Sequence, residues 1–160
     1  MEPLVSVIMN CKNGEEYLRE AIDSVYAQTY GNWEIIFWDN ASTDGSAAIA
    51  KSFDKRLRYF KRDRAAALGA ARNSAMAEAG GQYLAFLDSD DKWLPEKLKK
   101  EVAALEARRD IDLVYTNYYR MIMPSSGRLV LGLKGAQPEG EVFGRFLCDY
   151  PVNLQTVMLR

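Results

Sequence analysis

Four times within the first 110 residues a short apolar run is followed by a polar loop and then by a segment of helical period, and that alternation leaves few folds open. The runs are Leu4–Met9, Trp33–Trp38, Leu57–Lys61 and Tyr83–Leu87, all rich in β-branched or aromatic residues. After the first, Tyr17, Leu18, Ala21, Ile22, Val25 and Tyr26 recur at helical spacing, which predicts an amphipathic helix over 15–28. Helices are expected likewise at 45–53, at the alanine-rich 66–79 stopped by Gly80-Gly81, and after Pro95 with Leu98, Val102 and Leu105 facing inward. Strand and helix in strict turn specify an α/β, Rossmann-like, mostly parallel sheet with helices on both faces. Beyond Asp110 the pattern changes. One longer strand is expected over 113–123, a hairpin turn at Pro124-Ser125-Ser126-Gly127, a return strand over 128–133, a short helix within 140–150 and a last strand over 152–159. No linker or repeat divides the 160 residues, so a single domain is expected.

In open α/β sheets ligands bind beyond the carboxyl ends of the strands. Those four ends carry Asn10, Asp39, Arg62, and the acidic loop Asp88-Ser89-Asp90-Asp91. Three carboxylates in four residues repel one another unless something neutralises them, and a hard divalent cation bridging to diphosphate oxygens would do so. A carboxylate after the second strand suits a base N–H or ribose hydroxyl, and an arginine after the third offers a planar fork of donors. Each residue also has a plainer reading. The acidic loop can start the next helix, Asp39 can cap a turn, Arg62 can belong to a solvated basic face, and Trp33, Trp38 and Trp93 can simply pack. The coincidence of all four strand ends favours a nucleotide site with a divalent ion.

Several function classes are excluded or disfavoured. A net charge of -1 with both signs interspersed gives no basis for nucleic-acid binding. The chain has no histidine, which removes Ser-His-Asp and Cys-His chemistry and disfavours catalytic zinc. Asn10-Cys11-Lys12-Asn13-Gly14 lacks the glycine pattern of dinucleotide sites and the glycine-rich loop of nucleotidyl transfer. Two cysteines, Cys11 and Cys148, suggest no disulfide framework. No signal peptide or transmembrane segment is evident, so a cytoplasmic protein is expected, soluble or peripheral at the inner membrane face.

Val5–Asn10, the Gln28–Glu34 turn, Asp39-Asn40-Ala41-Ser42-Thr43-Asp44-Gly45-Ser46, Ala71-Arg72-Asn73 and Leu87–Asp91 resemble, in order, the motifs of the inverting family 2 glycosyltransferases. The resemblance covers about residues 4–108. It implies a GT-A fold, a nucleotide-diphosphate sugar as donor (a UDP-sugar in expectation) and Mn²⁺ or Mg²⁺ as cofactor. Carried over by position, Asn10, Asp39 and Arg62 would contact the base, Asp88 and Ser89 would lie on the nucleotide at the ribose, and Asp90 with Asp88 would hold the metal. Arg72 and Asn73 would support the loop beneath the donor. The acceptor, a saccharide or a lipid-linked acceptor, is not legible.

Two departures stand out. The place of the family's Asn-X-Gly is taken by Ala65-Ala66-Ala67, with Gly69 displaced. The family's later acidic motif, which supplies the general base, is expected beyond Arg160. Residues 1–110 would then form the nucleotide-binding half and 111–160 the start of an acceptor half. The rival expectation is a non-catalytic nucleotide-binding or assembly module with the same fold.

Overall fold

The structure, a computed structural model, describes residues 2–122, 127–142, 144–145 and 152–160. The elements alternate as the periodicity predicts: β1 (Val5–Cys11), α1 (Glu15–Tyr26), β2 (Trp33–Asp39), α2 (Ser46–Lys51), β3 (Leu57–Lys61), α3 (Leu68–Ala77), β4 (Tyr83–Phe86) and α4 (Lys97–Ala107). Then follow β5 (Leu113–Tyr115), β6 (Tyr119–Ile122), β7 (Arg128–Leu131) and β8 (Val157–Leu159). Six strands form one sheet in the order β3-β2-β1-β4-β8-β5. β1, β2, β3 and β4 are parallel, and β8 enters antiparallel between β4 and β5. The result is the mostly parallel α/β sheet that the sequence specifies.

Burial follows strand alternation. Val5, Val7, Met9 and Cys11 of β1 join Ile35 and Phe37 of β2 in one core with Leu18, Ile22 and Val25 of α1 and Leu98, Val102 and Leu105 of α4. Ile8, Ile36 and Phe86 face the other way onto Ala75 of α3. Helices therefore cover both faces. The small residues of α3 let it lie close on β1 and β2, with Ala71 and Ala75 fully buried. Gly81 is required by crowding: a Cβ there would meet the Leu4 carbonyl and the Ser6 amide at 2.7 Å.

The second half departs from expectation. The single strand expected over 113–123 is two strands in two different sheets, β5 in the main sheet and β6 paired with β7. Asn117 makes the break. Its Oδ1 accepts from the amides of Tyr118 and Leu133, and its Nδ2 donates to the Leu133 carbonyl, so its side chain takes the place of a ladder. The last strand is also shorter than 152–159, because Leu154–Thr156 forms a 3₁₀ turn before β8. Of the hairpin turn, Pro124, Ser125 and Ser126 lie outside the described residues, as do most of the helix expected within 140–150 and Cys148. No helix among the described residues is long and apolar enough to cross a membrane.

Candidate functional site

The register of the parallel strands sets the candidate residues side by side at one edge of the sheet. Asn10 pairs with Trp38, Cys11 with Asp39, and Asp39 with Lys61. The Arg62 amide donates to the Asp39 carbonyl at 3.0 Å, and Leu87 donates to Ile8 at 3.1 Å, so Arg62 and Asp88 emerge along the same edge.

Alternation splits the first two candidates between faces. Asn10 lies on the Ile8 side toward α3, whereas Asp39 lies with Cys11 on the α1 side. Asn10 is only 9% exposed, yet neither its Oδ1 nor its Nδ2 has a hydrogen-bond partner among the described residues. The adjacent Trp38 ring, stacked on Phe60 at 5.8 Å, leaves its Nε1 equally unpaired. Buried polar atoms without partners are costly, and here two such side chains lie in register.

Asp39 is fully buried and already engaged. Its Oδ1 accepts from the Ser42 amide at 2.7 Å and its Oδ2 from the Tyr59 hydroxyl at 2.5 Å. Burial acts to raise its carboxyl, but the hydrogen bonds from Tyr59 and Ser42 and the charge of Lys61 outweigh it and leave the group below the usual carboxylate range. Tyr59 is pushed above its ordinary value by burial and by that same bond. The Ser42 bond is that of a turn-capping aspartate.

The surrounding loops are laced together. Asn13, at φ 56°, gives its amide to Ser42 Oγ at 3.1 Å and accepts from the Thr43 amide at 2.8 Å. Gly14 donates to Ser46 Oγ at 3.0 Å, and the Glu15 amide to Asp44 at 3.0 Å. Gly14 lies so close to Cys11 and Ser89 that a Cβ would come within 2.9 Å of both side chains. At the place of the missing Asn-X-Gly, Asn40 holds the loop: its Oδ1 accepts from Ala66 N at 2.8 Å and its Nδ2 donates to Ala66 O at 2.9 Å. Arg62, half-buried, has no side-chain hydrogen bond or ion pair among the described residues.

The acidic loop divides by role. Asp88 Oδ1 pairs with Arg72 of α3 at 2.7 Å. Asp90 is exposed and has neither a hydrogen bond nor an ion pair among the described residues. Asp91 is raised above its usual range by burial first and then by the charges of Asp90 and Asp88. Ser89 and Asp90 line a cleft of about 300 Å³ with Lys12, Asn13, Gly14, Glu16 and Tyr17. Asn10, Asp39 and Arg62 do not line it. The structure thus sets Ser89 and Asp90 against the β1–α1 loop, with Asn10 and Asp39 on opposite faces of the sheet at the same strand edge.

The donor set fits a hard cation. No group of three or more ligating side chains is assembled among the described residues, so the protein offers the free Asp90 carboxylate and the remaining Asp88 oxygen rather than a closed cage. That suits Mg²⁺ or Mn²⁺, which take one or two carboxylates and complete their shell with water and phosphate. Sequence reasoning missed the partners of this site. Nothing local marks the Tyr59 hydroxyl or the Trp38 indole as polar participants; the pairing of β2 with β1 and β3 brings them in.

Polar side chains beyond the carboxyl ends of parallel strands lie where open α/β folds bind ligands, and the fold is that of the GT-A glycosyltransferases. The chain belongs to glycosyl transferase family 2, whose family model matches residues 6–149. The UDP-Glc:alpha-D-GlcNAc-diphosphoundecaprenol beta-1,3-glucosyltransferase WfgD of Escherichia coli is 37% identical over 157 residues, 98% of this chain and 60% of that protein. The S. aureus TarS complex with UDP-GlcNAc is similar with a TM-score of 0.65 at 28% identity, covering 68% of this chain and 32% of that one. The mannosyltransferase PcManGT from Pyrobaculum calidifontis, in complex with GDP-Man and Mn²⁺, gives 0.66 at 25% identity over 72% of this chain and 35% of that one. The chain spans about half the length of the curated relatives it matches, 42%, 48% and 60% for three of them.

Proposed function

We propose that these residues are the donor-binding part of an inverting glycosyltransferase that takes a nucleotide-diphosphate sugar, a UDP-sugar, with a divalent cation. The observation that carries the reading is Asp90, a carboxylate lining a cleft and without a hydrogen bond or ion pair of its own among the described residues, in a loop whose first member is already held by Arg72. In this reading Asn10 supplies the amide that reads the base, Asp39 and Arg62 flank it, and Asp88 and Ser89 meet the ribose. Asp90, with the second oxygen of Asp88, holds the ion. When bound, the cation neutralises the charge that builds on the departing nucleoside diphosphate.

The protein's own contribution is placement and charge. The tied β1–α1 and β2–α2 loops keep the donor edge rigid, which lowers the ordering cost of binding. A base on another residue takes the acceptor's proton as its oxygen attacks the anomeric carbon. We place that base outside residues 1–160, and on this reading the stretch by itself binds donor and transfers sugar poorly. The TarS and PcManGT complexes support nucleotide-sugar binding, PcManGT supports the metal, and the name of WfgD supports a lipid-linked saccharide acceptor. The free, buried thiol of Cys11 accords with a cytoplasmic setting.

Calorimetric titration of UDP-, GDP- and dTDP-sugars, each with and without manganese, tests the reading. UDP-sugars are expected to bind, and Asp90→Ala to abolish the manganese dependence. Failure of all three donors to bind, or tight binding indifferent to manganese and to Asp90→Ala, would sink it. Robust transfer by residues 1–160 would overturn the assignment of the base elsewhere.

A further inference from the structure

The first residue beyond β1 is Lys12, and the chain is restrained on both sides of it. Just before it, the Cys11 carbonyl accepts from the Asn40 amide at 2.8 Å. Just after it, Asn13, at φ 56°, donates its amide to Ser42 Oγ at 3.1 Å and accepts from the Thr43 amide at 2.8 Å. The backbone at Lys12 is thereby fixed, and its exposed side chain lines the cleft of about 300 Å³ that Ser89 and Asp90 also line.

The charged side chains lining that cleft are Lys12, Glu16 and Asp90. Neither Lys12 nor Asp90 has a hydrogen bond or ion pair among the described residues, so two unlike charges share one cleft without pairing. The neighbouring cations are committed or placed elsewhere. Arg72 holds Asp88 at 2.7 Å, Lys92 holds Glu20 at 2.6 Å, and Arg62 does not line the cleft. A ligand carrying both signs satisfies both free groups at once. A metal-bound diphosphate is such a ligand, its cation suiting the carboxylate and its phosphoryl oxygens the ammonium. Lysine serves phosphate as a point charge on a flexible stem, so it reads the anion and not the base.

We propose that Lys12 binds the donor's diphosphate, its ammonium donating to phosphoryl oxygens on the same group whose metal ion Asp90 holds. The assignment rests on the nucleotide-sugar reading above and adds to it a cation supplied by the protein itself. Part of the diphosphate charge is then met without metal, so nucleotide binding weakens but persists when the ion is withdrawn.

Calorimetric titration of the chain with UDP and with uridine, each with and without manganese, tests the proposal. Lys12→Gln alters an exposed side chain and leaves the backbone bonds on either side of it in place. It is expected to weaken UDP about tenfold, with manganese and without, and to flatten the salt dependence of binding, while uridine binds as before. Lys12→Arg, which keeps the charge, should retain most of the UDP affinity. Asp90→Ala should remove the manganese dependence and leave the effect of Lys12→Gln in place. UDP affinity unchanged in Lys12→Gln, or a loss equal for UDP and uridine, would overturn the role of Lys12 and leave the donor reading standing. A chain that binds no UDP under either condition would overturn both.

Discussion

Arg72 on α3 reaches across the α3–β4 connection to Asp88, its guanidinium nitrogen 2.7 Å from Oδ1, and so fixes one oxygen of the acidic loop. The pair is partly solvated, with 22% and 39% of the two side chains exposed, so its direct worth to stability is at most about 1 kcal/mol. Its value lies in orientation. Arg72→Ala should lower the unfolding free energy by no more than about that amount, yet weaken manganese-dependent donor binding by roughly tenfold or more. Arg72→Lys should recover stability but little affinity, because an ammonium cannot reproduce the planar fork. Denaturant melts and calorimetry on the same samples would separate the two effects. Donor affinity unchanged in Arg72→Ala would leave the pair merely structural.

Asn10 makes the converse case, a side chain that costs the fold and that we propose serves the ligand. Both of its polar atoms are buried without partners among the described residues. Replacing it by the near-isosteric leucine removes an unmet desolvation cost and breaks no hydrogen bond. Asn10→Leu should therefore leave stability unchanged or raise it by about 1 kcal/mol, while donor affinity falls about tenfold, the equivalent of one hydrogen bond near 1.4 kcal/mol. A loss of stability with unaltered donor binding would remove Asn10 from the recognition surface.

The parts of this molecule that were legible in sequence are those ruled by local period. β3 falls at 57–61 as expected, β1, β2 and β4 start or stop within two residues of the apolar runs, and α1 is shorter by the two residues after Tyr26. The site's positions along the sheet edge followed from knowing where those strands stop. What escaped were effects of distant partners. Asn117 ends β5 only because Leu133 returns beside it. β8 inserts antiparallel between β4 and β5, a choice that its three residues cannot express. Alternation, legible in principle, places Asn10 and Asp39 on opposite faces of the sheet at that shared edge.

Lys97 and Glu101 form a buried ion pair on α4, remote in role from the cleft. Lys97 Nζ lies 2.6 Å from both Glu101 oxygens and 4.6 Å from the centre of the Trp93 ring, and the two side chains are 8% and 1% exposed. Burial lifts the Glu101 carboxyl up to about 6 from its ordinary 4.5, the attraction of Lys97 offsetting only part of this. Burial likewise lowers Lys97. An acid held higher in the folded state binds more protons there than in the unfolded chain, so its contribution is fullest below about 4.5 and is lost as pH rises through about 6. The depressed Lys97 acts with the opposite sign on the alkaline side. Lys97→Met with Glu101→Leu should remove both slopes and match or exceed the parent in stability, because desolvating two charges is costly even when they pair. Glu101→Leu alone, which strands the ammonium in the core, should cost about 3–5 kcal/mol. Thermal midpoints of parent and double variant, followed across that acidic window, decide the matter: the parent's should fall relative to the variant's as pH rises, and parallel curves would show that the pair stays ionised throughout.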